Sequence, residues 1–219
     1  MDGYRLYAEI EKVVTELGGS VHYKPESRLM KLIGEVLFFN KTFMTSYTTT
    51  IGRRIYFPRR FTSESEHLRK ACTLAHECVH VDDYSRHRIV FPLSYLFPQV
   101  LALLSLLAFG VFFHLAFLWA LLFLVFLLPI PSPGRREAEL RGYAISMAMS
   151  YWVGRRTRPD YTPYIPIFTG SGYYYMWPFE RDLQSRFEKL RAATENDTLH
   201  THLPLAQRLK AGVEAASSG

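Results

Sequence analysis

The hydrophobic and polar positions divide the chain into amphipathic flanks and an unbroken apolar centre. Residues 4–17 carry apolar side chains at helical spacing, and Gly18 and Gly19 supply the end of that helix. A second helix is predicted over residues 25–39, with a proline that is tolerated in its first turn. Three more helices are predicted behind the apolar centre, over residues 135–151 or beyond, 179–193 and 205–216.

Between the second helix and the apolar centre, the pattern changes to one typical of strands. Residues 43–50 are rich in Thr, Tyr and Phe, Gly52 interrupts the run, and residues 54–57 resume an extended pattern before Pro58. This predicts a β-hairpin with at least two strands. The expected fold class is therefore α+β and mainly helical, with a small β-hairpin or sheet.

The apolar centre has the composition of a membrane segment. No Asp, Glu, Lys or Arg occurs in the 46 residues between Arg88 and Arg135. One continuous helix of that length would be about 69 Å long, more than twice a hydrocarbon core of about 30 Å. A helical hairpin with roughly 17 to 19 residues per arm and a tip at residues 109–114 fits better, as two full passes or a re-entrant loop. At this tip His114 is expected to be an interfacial residue and not a metal ligand.

The charge pattern suggests which partner the chain has. A net charge of +6 would suit either nucleic acid or an anionic lipid surface. No nucleic-acid-binding signature occurs, so a lipid bilayer is expected as a partner and nucleic acid is not. Arginines flank both ends of the apolar centre, at Arg86, Arg88, Arg135 and Arg136. The positive-inside rule then places both flanks in the cytoplasm.

One short motif carries the candidate chemistry. Residues 76–80 read His-Glu-Cys-Val-His, an HExxH sequence inside a helix that is predicted to begin after Ser63 as its N-cap. Residues four apart project from one helix face, so His76 and His80 can reach a common tetrahedral metal ion, for which zinc is expected. Glu77 lies on the adjacent flank. Its carboxylate is therefore the candidate general base for an attacking water.

A metal site of this kind requires a third ligand. His87 comes eleven residues after the first motif histidine, without the glycine that turns metzincins back to a third histidine, which argues against it. Glu137 and Glu139 are about 160° apart around their predicted helix, so only one of them can face the metal. Glu137 has Arg141 at the spacing of a surface ion pair, whereas Glu139 shares its side with small residues such as Gly142. Glu139 is the predicted ligand, and Glu137 is the alternative.

These residues resemble the gluzincins. The motif at residues 76–80, followed by a helix with Glu-Leu-Arg-Gly-Tyr at residues 139–143, is similar to gluzincin sequences, in which a second helix supplies a glutamate. The apolar insertion between the two helices distantly resembles the membrane zincins of the CAAX prenyl protease and heat-shock protease group. That group usually has Ala-Asp where this chain has Gly142 and Tyr143. The resemblance implies a zinc metallopeptidase with two histidine ligands, one glutamate ligand and Glu77 as general base.

The predicted organisation is a zincin-like catalytic domain interrupted by a membrane insertion. Residues 1–88 contain the HExxH helix, residues 89–134 form the transmembrane hairpin, and residues 135–219 contain the third-ligand helix. A single pass would leave the ligands on opposite sides of the bilayer, whereas a hairpin returns them to one side. The free edge of the β-hairpin, residues 48–57, is either a docking edge for an extended substrate or an ordinary structural strand.

The predicted function is zinc-dependent hydrolysis of peptide bonds in a peptide or protein substrate, by a multi-pass membrane endopeptidase with its catalytic side in the cytoplasm. One alternative is a catalytically inactive zincin-like protein that serves as a membrane anchor or adaptor. A second alternative is a pore-forming hairpin protein in which the HExxH sequence is accidental. The sequence provides no basis for choosing an oxyanion-stabilising residue.

Overall fold

The computed structural model of the chain describes residues 1–38, 40–154 and 156–218, and only the backbone of Tyr173. Within these ranges the protein is α+β and mainly helical, as predicted. The helices are α1 (Gly3–Glu16), α2 (Arg28–Val36), α3 (Glu64–Arg86), α4 (Val90–Leu96), α5 (Pro133–Trp152), α6 (Ile165–Thr169), α7 (Glu180–Glu195), α8 (Leu199–His202) and α9 (Leu205–Ser217). The strands are β1 (Ser20–Tyr23), β2 (Thr49–Ile51) and β3 (Arg54–Phe57). Shorter 3₁₀ segments lie at Lys24–Glu26, Thr162–Tyr164 and Ser171–Tyr173, and longer ones at Gln99–Phe112 and Leu115–Leu127.

The main core is built around α3, which packs against both α1 and α5. The apolar stripe of α1 includes Leu6, Ile10 and Val14, which are fully buried, because their helical spacing turns them all to one face. α3 begins where predicted, since the Ser63 hydroxyl accepts a hydrogen bond from the backbone N–H of Glu66. The HExxH helix therefore lies at the centre of the fold.

The second predicted helix is shorter than expected. A 3₁₀ turn at Lys24–Glu26 precedes α2, which begins after Ser27, whose side chain caps it by accepting from Met30 N–H. α2 ends at Val36, and the predicted end at Phe39 lies outside the described residues.

The sheet has three strands in the order β1-β3-β2. The predicted hairpin is present as β2 and β3, which pair antiparallel around a turn at Gly52, where φ is +63°. Its first strand is only three residues long, and residues 42–46 form turns, so the prediction of strand structure from residue 43 was wrong. β1 pairs parallel with β3 and was not predicted. β3 is consequently the central, buried strand, and within the described chain β2 forms a free edge.

The apolar centre forms α4 and two 3₁₀ segments that pack against each other, here called the apolar hairpin (residues 99–127). Its arms contain 14 and 13 residues and not the predicted 17 to 19. The break falls within the predicted tip, where His114 Nδ1 accepts from the N–H of Ala116 at 3.0 Å and caps the second arm. Among the described residues no single helix is long and apolar enough to cross a membrane, although α4 and Gln99–Phe112 together meet that requirement across an 88° bend.

Candidate metal centre

α3 and α5 bring three side chains predicted to bind metal into one buried cluster. One nitrogen or oxygen atom from each of His76, His80 and Glu139 lies within 4.8 Å of the others. The Nε2 atom of His76 is 3.4 Å from Glu139 Oε2, and the Nε2 atom of His80 is 3.8 Å from Glu139 Oε1. The cluster could therefore hold a metal ion between the two helices.

Gly142 allows α5 to approach this cluster. A Cβ atom at this position would lie 2.7 Å from both Cε1 and Nε2 of His76, closer than real Cβ contacts come. One turn further along α5, the Ser146 hydroxyl lies 3.2 Å from His76 Nδ1. This contact on one ring nitrogen leaves the other directed at Glu139, and metal-binding histidines are commonly oriented by such a hydrogen bond on the nitrogen that does not bind the metal.

A partly buried ion pair joins the same two helices next to the cluster. Arg141 of α5 donates two hydrogen bonds to the carboxylate of Asp83 in α3, each 2.8 Å long. Such a two-point contact fixes the relative rotation of the helices as well as their distance. The predicted pairing of Arg141 with the Glu137 carboxylate is wrong, because the guanidinium is drawn across to the neighbouring helix.

Glu137 lies on the outer side of α5. Its carboxylate is 47% exposed and pairs with Arg136 at 3.2 Å and with Arg186 of α7 at 3.3 Å. Glu139 is only 2% exposed and faces α3. The structure therefore places Glu139 in the cluster and Glu137 on the surface. His87 ends α3 on the protein surface, and His114 lies in the apolar hairpin.

The electrostatics of the cluster suit a bound cation. Burial raises the pKa of Glu139, but the imidazoles of His76 and His80 and a hydroxyl from Tyr95 outweigh it and lower the pKa to about 2. Burial acts to lower the pKa of His76, yet the adjacent Glu139 carboxylate raises it overall. Within the described chain, Glu139 Oε2 and His80 Nδ1 are buried without a hydrogen-bond partner. Because an ionised oxygen is costly to bury without a hydrogen bond, and His76 Nε2 approaches Glu139 Oε2 only to 3.4 Å, these residues fit a metal ion at this position.

Tyr95 belongs to this site and was not identified from the sequence. Its hydroxyl donates to Glu139 Oε1 at 2.5 Å, and its ring centroid lies 6.1 Å from that of His80. It reaches the site because α4 packs against α5. The sequence signal for Tyr95 was its position as a phenol at the polar end of an otherwise apolar segment. A tyrosine at a membrane interface has the same sequence context, so this signal did not indicate a role in the site.

Glu77 points from α3 toward the edge strand of the sheet. Its Oε2 atom accepts a hydrogen bond from the Thr50 hydroxyl of β2 at 2.7 Å. Glu77 is thus separate from the three-residue cluster but lies against the same cavity. A carboxylate that lies beside a metal position without binding the metal can exchange a proton with a water molecule there.

A cleft of about 1010 Å³ opens over these residues. The side chains of both histidines, Glu77 and Glu139 line it, and residues 49–51 of β2 form one wall. Aromatic and apolar side chains complete much of the lining, namely Leu29, Phe43, Tyr47, Tyr56, Tyr84, Phe91, Tyr95 and Leu96. The site is therefore open to an extended ligand that could lie along the strand edge.

Comparison with known proteins assigns no family to the chain. No protein-family model, curated protein or solved structure matches it. Its function is therefore inferred from the chemistry of the site.

Proposed function

We propose that this protein is a zinc-dependent, membrane-embedded endopeptidase of gluzincin type. The observation that carries the proposal is the buried cluster of His76, His80 and Glu139, with Glu77 beside it in an open cleft. Two imidazole nitrogens and one carboxylate oxygen are a common ligand set of catalytic zinc, and the cleft leaves room for a fourth ligand. Bound zinc would supply Lewis acidity, which polarises a carbonyl group and lowers the pKa of water toward about 7.

Glu77 performs the proton transfers in this proposal. Its carboxylate takes a proton from water as the water oxygen attacks the carbonyl carbon of the peptide bond. It then passes that proton to the amine nitrogen as the carbon–nitrogen bond breaks. The hydrogen bond from Thr50 to Oε2 holds the carboxylate in one orientation, which leaves Oε1 available for the proton.

The edge of β2 provides the docking surface for the substrate backbone. Its three residues line the cleft next to Glu77, and within the described chain no other strand pairs with this edge. An extended peptide can add to such an edge by main-chain hydrogen bonds, which hold it regardless of side-chain identity. The predicted docking edge at residues 48–57 is therefore restricted to Thr49–Ile51. β3 cannot pair with a substrate, because it lies between β1 and β2.

The apolar hairpin supports a membrane location. Many of its large apolar side chains are more than half exposed, including Leu103, Leu106, Leu107, Phe109, Phe112, Phe113, Leu115, Trp119 and Leu122. A continuous apolar surface of this kind is unfavourable in water and favourable in lipid. The arginines on both sides of the insertion favour a cytoplasmic catalytic side. α4 then links the embedded hairpin to the site through Tyr95.

Metal content and peptide hydrolysis, measured on the same purified full-length protein in detergent micelles, test this proposal. We expect one zinc per chain and cleavage of a mixed library of quenched fluorescent peptides. Glu77→Gln should keep the zinc and lose at least about 100-fold in cleavage rate, because the general base is removed. Glu139→Gln should lose the zinc. The matched control Glu137→Gln removes a surface carboxylate from the same helix and should keep both properties.

The outcomes separate the competing functions. If the protein binds zinc but cleaves none of the peptides, with or without lipid, the result would support the alternative of a catalytically inactive membrane anchor or adaptor. Liposome leakage that persists after His76→Ala, without zinc-dependent cleavage, would support the pore-forming alternative. Loss of zinc from the Glu137→Gln variant would contradict the ligand assignment.

A further inference from the structure

The cleft carries a marked excess of positive charge. Four arginines line it, namely Arg53, Arg54, Arg88 and Arg135. Among its described lining residues, Glu77 and Glu139 are the acidic ones. A divalent cation at the site would offset those two carboxylates, so the arginines would remain uncompensated. Such a cleft attracts anionic ligands and disfavours cationic ones.

Two of these arginines are available to a ligand. Arg53 donates to the Ser85 hydroxyl at 3.2 Å, and the guanidinium of Arg135 lies 5.4 Å from the ring centroid of Tyr95. Arg54 and Arg88 are exposed, and neither side chain has a hydrogen bond or ion pair with another described residue. An arginine without a partner presents its full set of donors, which match a carboxylate in a two-point contact.

Arg88 lies just beyond the end of the helix that carries the two histidines. His76, His80 and Tyr84 follow one another at intervals of four residues along one side of α3 and line the cleft, and Arg88, which also lines it, comes two residues after the helix ends at Arg86. A helical rise of about 1.5 Å per residue places the end of α3 about 9 Å beyond His80, so Arg88 belongs to the part of the cleft beyond the metal cluster. An extended peptide advances about 3.3 Å per residue, so a peptide that reaches this part of the cleft places side chains there that are a few residues from the metal cluster.

Arg54 lies at the same end of the cleft. It pairs with Ile51 in the register of β2 and β3, directly beside the turn at Gly52. A Cβ atom placed on Gly52 would be 3.4 Å from the ring of Tyr84, so this turn packs against the second half of α3. Arg54 and Arg88 thus lie beyond the same end of the metal cluster, one on the sheet side and one on the helix side.

We propose that the cleft selects peptide segments with acidic side chains a few residues from the bond to be cleaved. This rests on the proposed peptidase function, and it specifies the substrate class. The glutamate or aspartate side chains would pair with Arg54 and Arg88 while the peptide backbone pairs with β2. Anionic lipid headgroups offer similar chemistry near Arg88, but Arg54 begins the central strand of the sheet and also lines the cleft, which favours a peptide.

Binding and cleavage are measured separately, so that each proposal can fail on its own. The probes are two fluorescent ten-residue peptides that alternate Glu or Gln with apolar residues and are otherwise identical. Anisotropy with the zinc-loaded Glu77→Gln protein in uncharged detergent reports binding without turnover. We expect the Glu peptide to bind more tightly, and Arg54→Gln and Arg88→Gln each to reduce the preference by about five-fold, as exposed ion pairs do. The preference should shrink between about 0.1 M and about 1 M salt.

Arg86→Gln is the matched control. It removes one positive charge two residues from Arg88, but Arg86 pairs with Asp82 and does not line the cleft. This variant should retain the preference. Equal binding of the two peptides, or a preference that survives both cleft substitutions, would overturn the inference. It would also be overturned if those substitutions weakened binding to phosphatidylglycerol vesicles and left the peptide preference intact. Absence of zinc-dependent cleavage by the unmodified protein, with an arginine-dependent preference in binding, would reject the peptidase function alone.

Discussion

A methyl group added at Gly142 should test how closely the two site helices approach. The Cβ atom of Gly142→Ala would lie 2.7 Å from His76 Nε2, whereas ordinary contact begins at 3.4 Å. The imidazole or the helix must therefore shift by about 0.7 Å, the difference between those two distances. Metal–ligand distances tolerate only about 0.2 Å. The ring has little freedom to adjust, because it is buried, contacts Ser146 and packs on Tyr143.

Two opposing energies act on the stability of this variant. Alanine is favoured over glycine inside a helix by about 1 kcal/mol, whereas overpacking a tight site costs about 1–3 kcal/mol. We therefore expect the metal-free protein to lose between about 0 and 2 kcal/mol of unfolding free energy. Zinc affinity should fall by at least about ten-fold, because one ligand atom is displaced. Competition with a chromophoric chelator measures the affinity, and urea unfolding in detergent measures the stability.

Gly212→Ala is the control for this experiment. Gly212 also lies inside a helix, but an added Cβ atom would be no closer than 3.5 Å to its neighbours, the nearest being Ile10 Cδ1. This variant should gain stability by up to about 1 kcal/mol and bind zinc normally. If Gly142→Ala bound zinc as tightly as the unmodified protein, the close approach of α5 to His76 would not limit the site, and the reasoning would be wrong.

Two further predictions concern side chains around the cleft. Tyr95→Phe removes the hydrogen bond to Glu139 and should weaken zinc binding by about ten-fold in the chelator assay, and unchanged affinity would contradict its positioning role. Lys24 is buried, and its ammonium donates a hydrogen bond to the backbone carbonyl of Phe43. Burial lowers the pKa of Lys24 from 10.5 to about 8, despite attraction from Glu77. Because the unfolded chain then binds more protons, this residue should make the unfolding free energy rise between pH 8 and 10.5. In urea unfolding of Lys24→Met, the unfolding free energy should not show this rise between pH 8 and 10.5. If the unfolding free energy changed with pH in the same way in both proteins, this prediction would be wrong.

Local sequence determined most of the helices and the pair of histidines. The apolar spacing of residues 4–17 predicted α1 within one residue at each end, and Ser63 predicted the start of α3. His76 and His80 share a face because four residues make about one helical turn. The choice of Glu139 over Glu137 followed from their angular separation and from the small residues beside Glu139. Each of these features depends on positions within a single element.

Only the tertiary structure decided which elements meet. β1 has four residues without alternating burial, and it becomes a strand because it pairs in parallel with β3, more than thirty positions away. Arg141 had a suitable carboxylate one turn away in its own helix, yet it pairs with Asp83 of α3. Tyr95 reaches Glu139 because α4 packs on α5. Periodicity along an element determines which face a side chain occupies, but its partner depends on which element packs against that face.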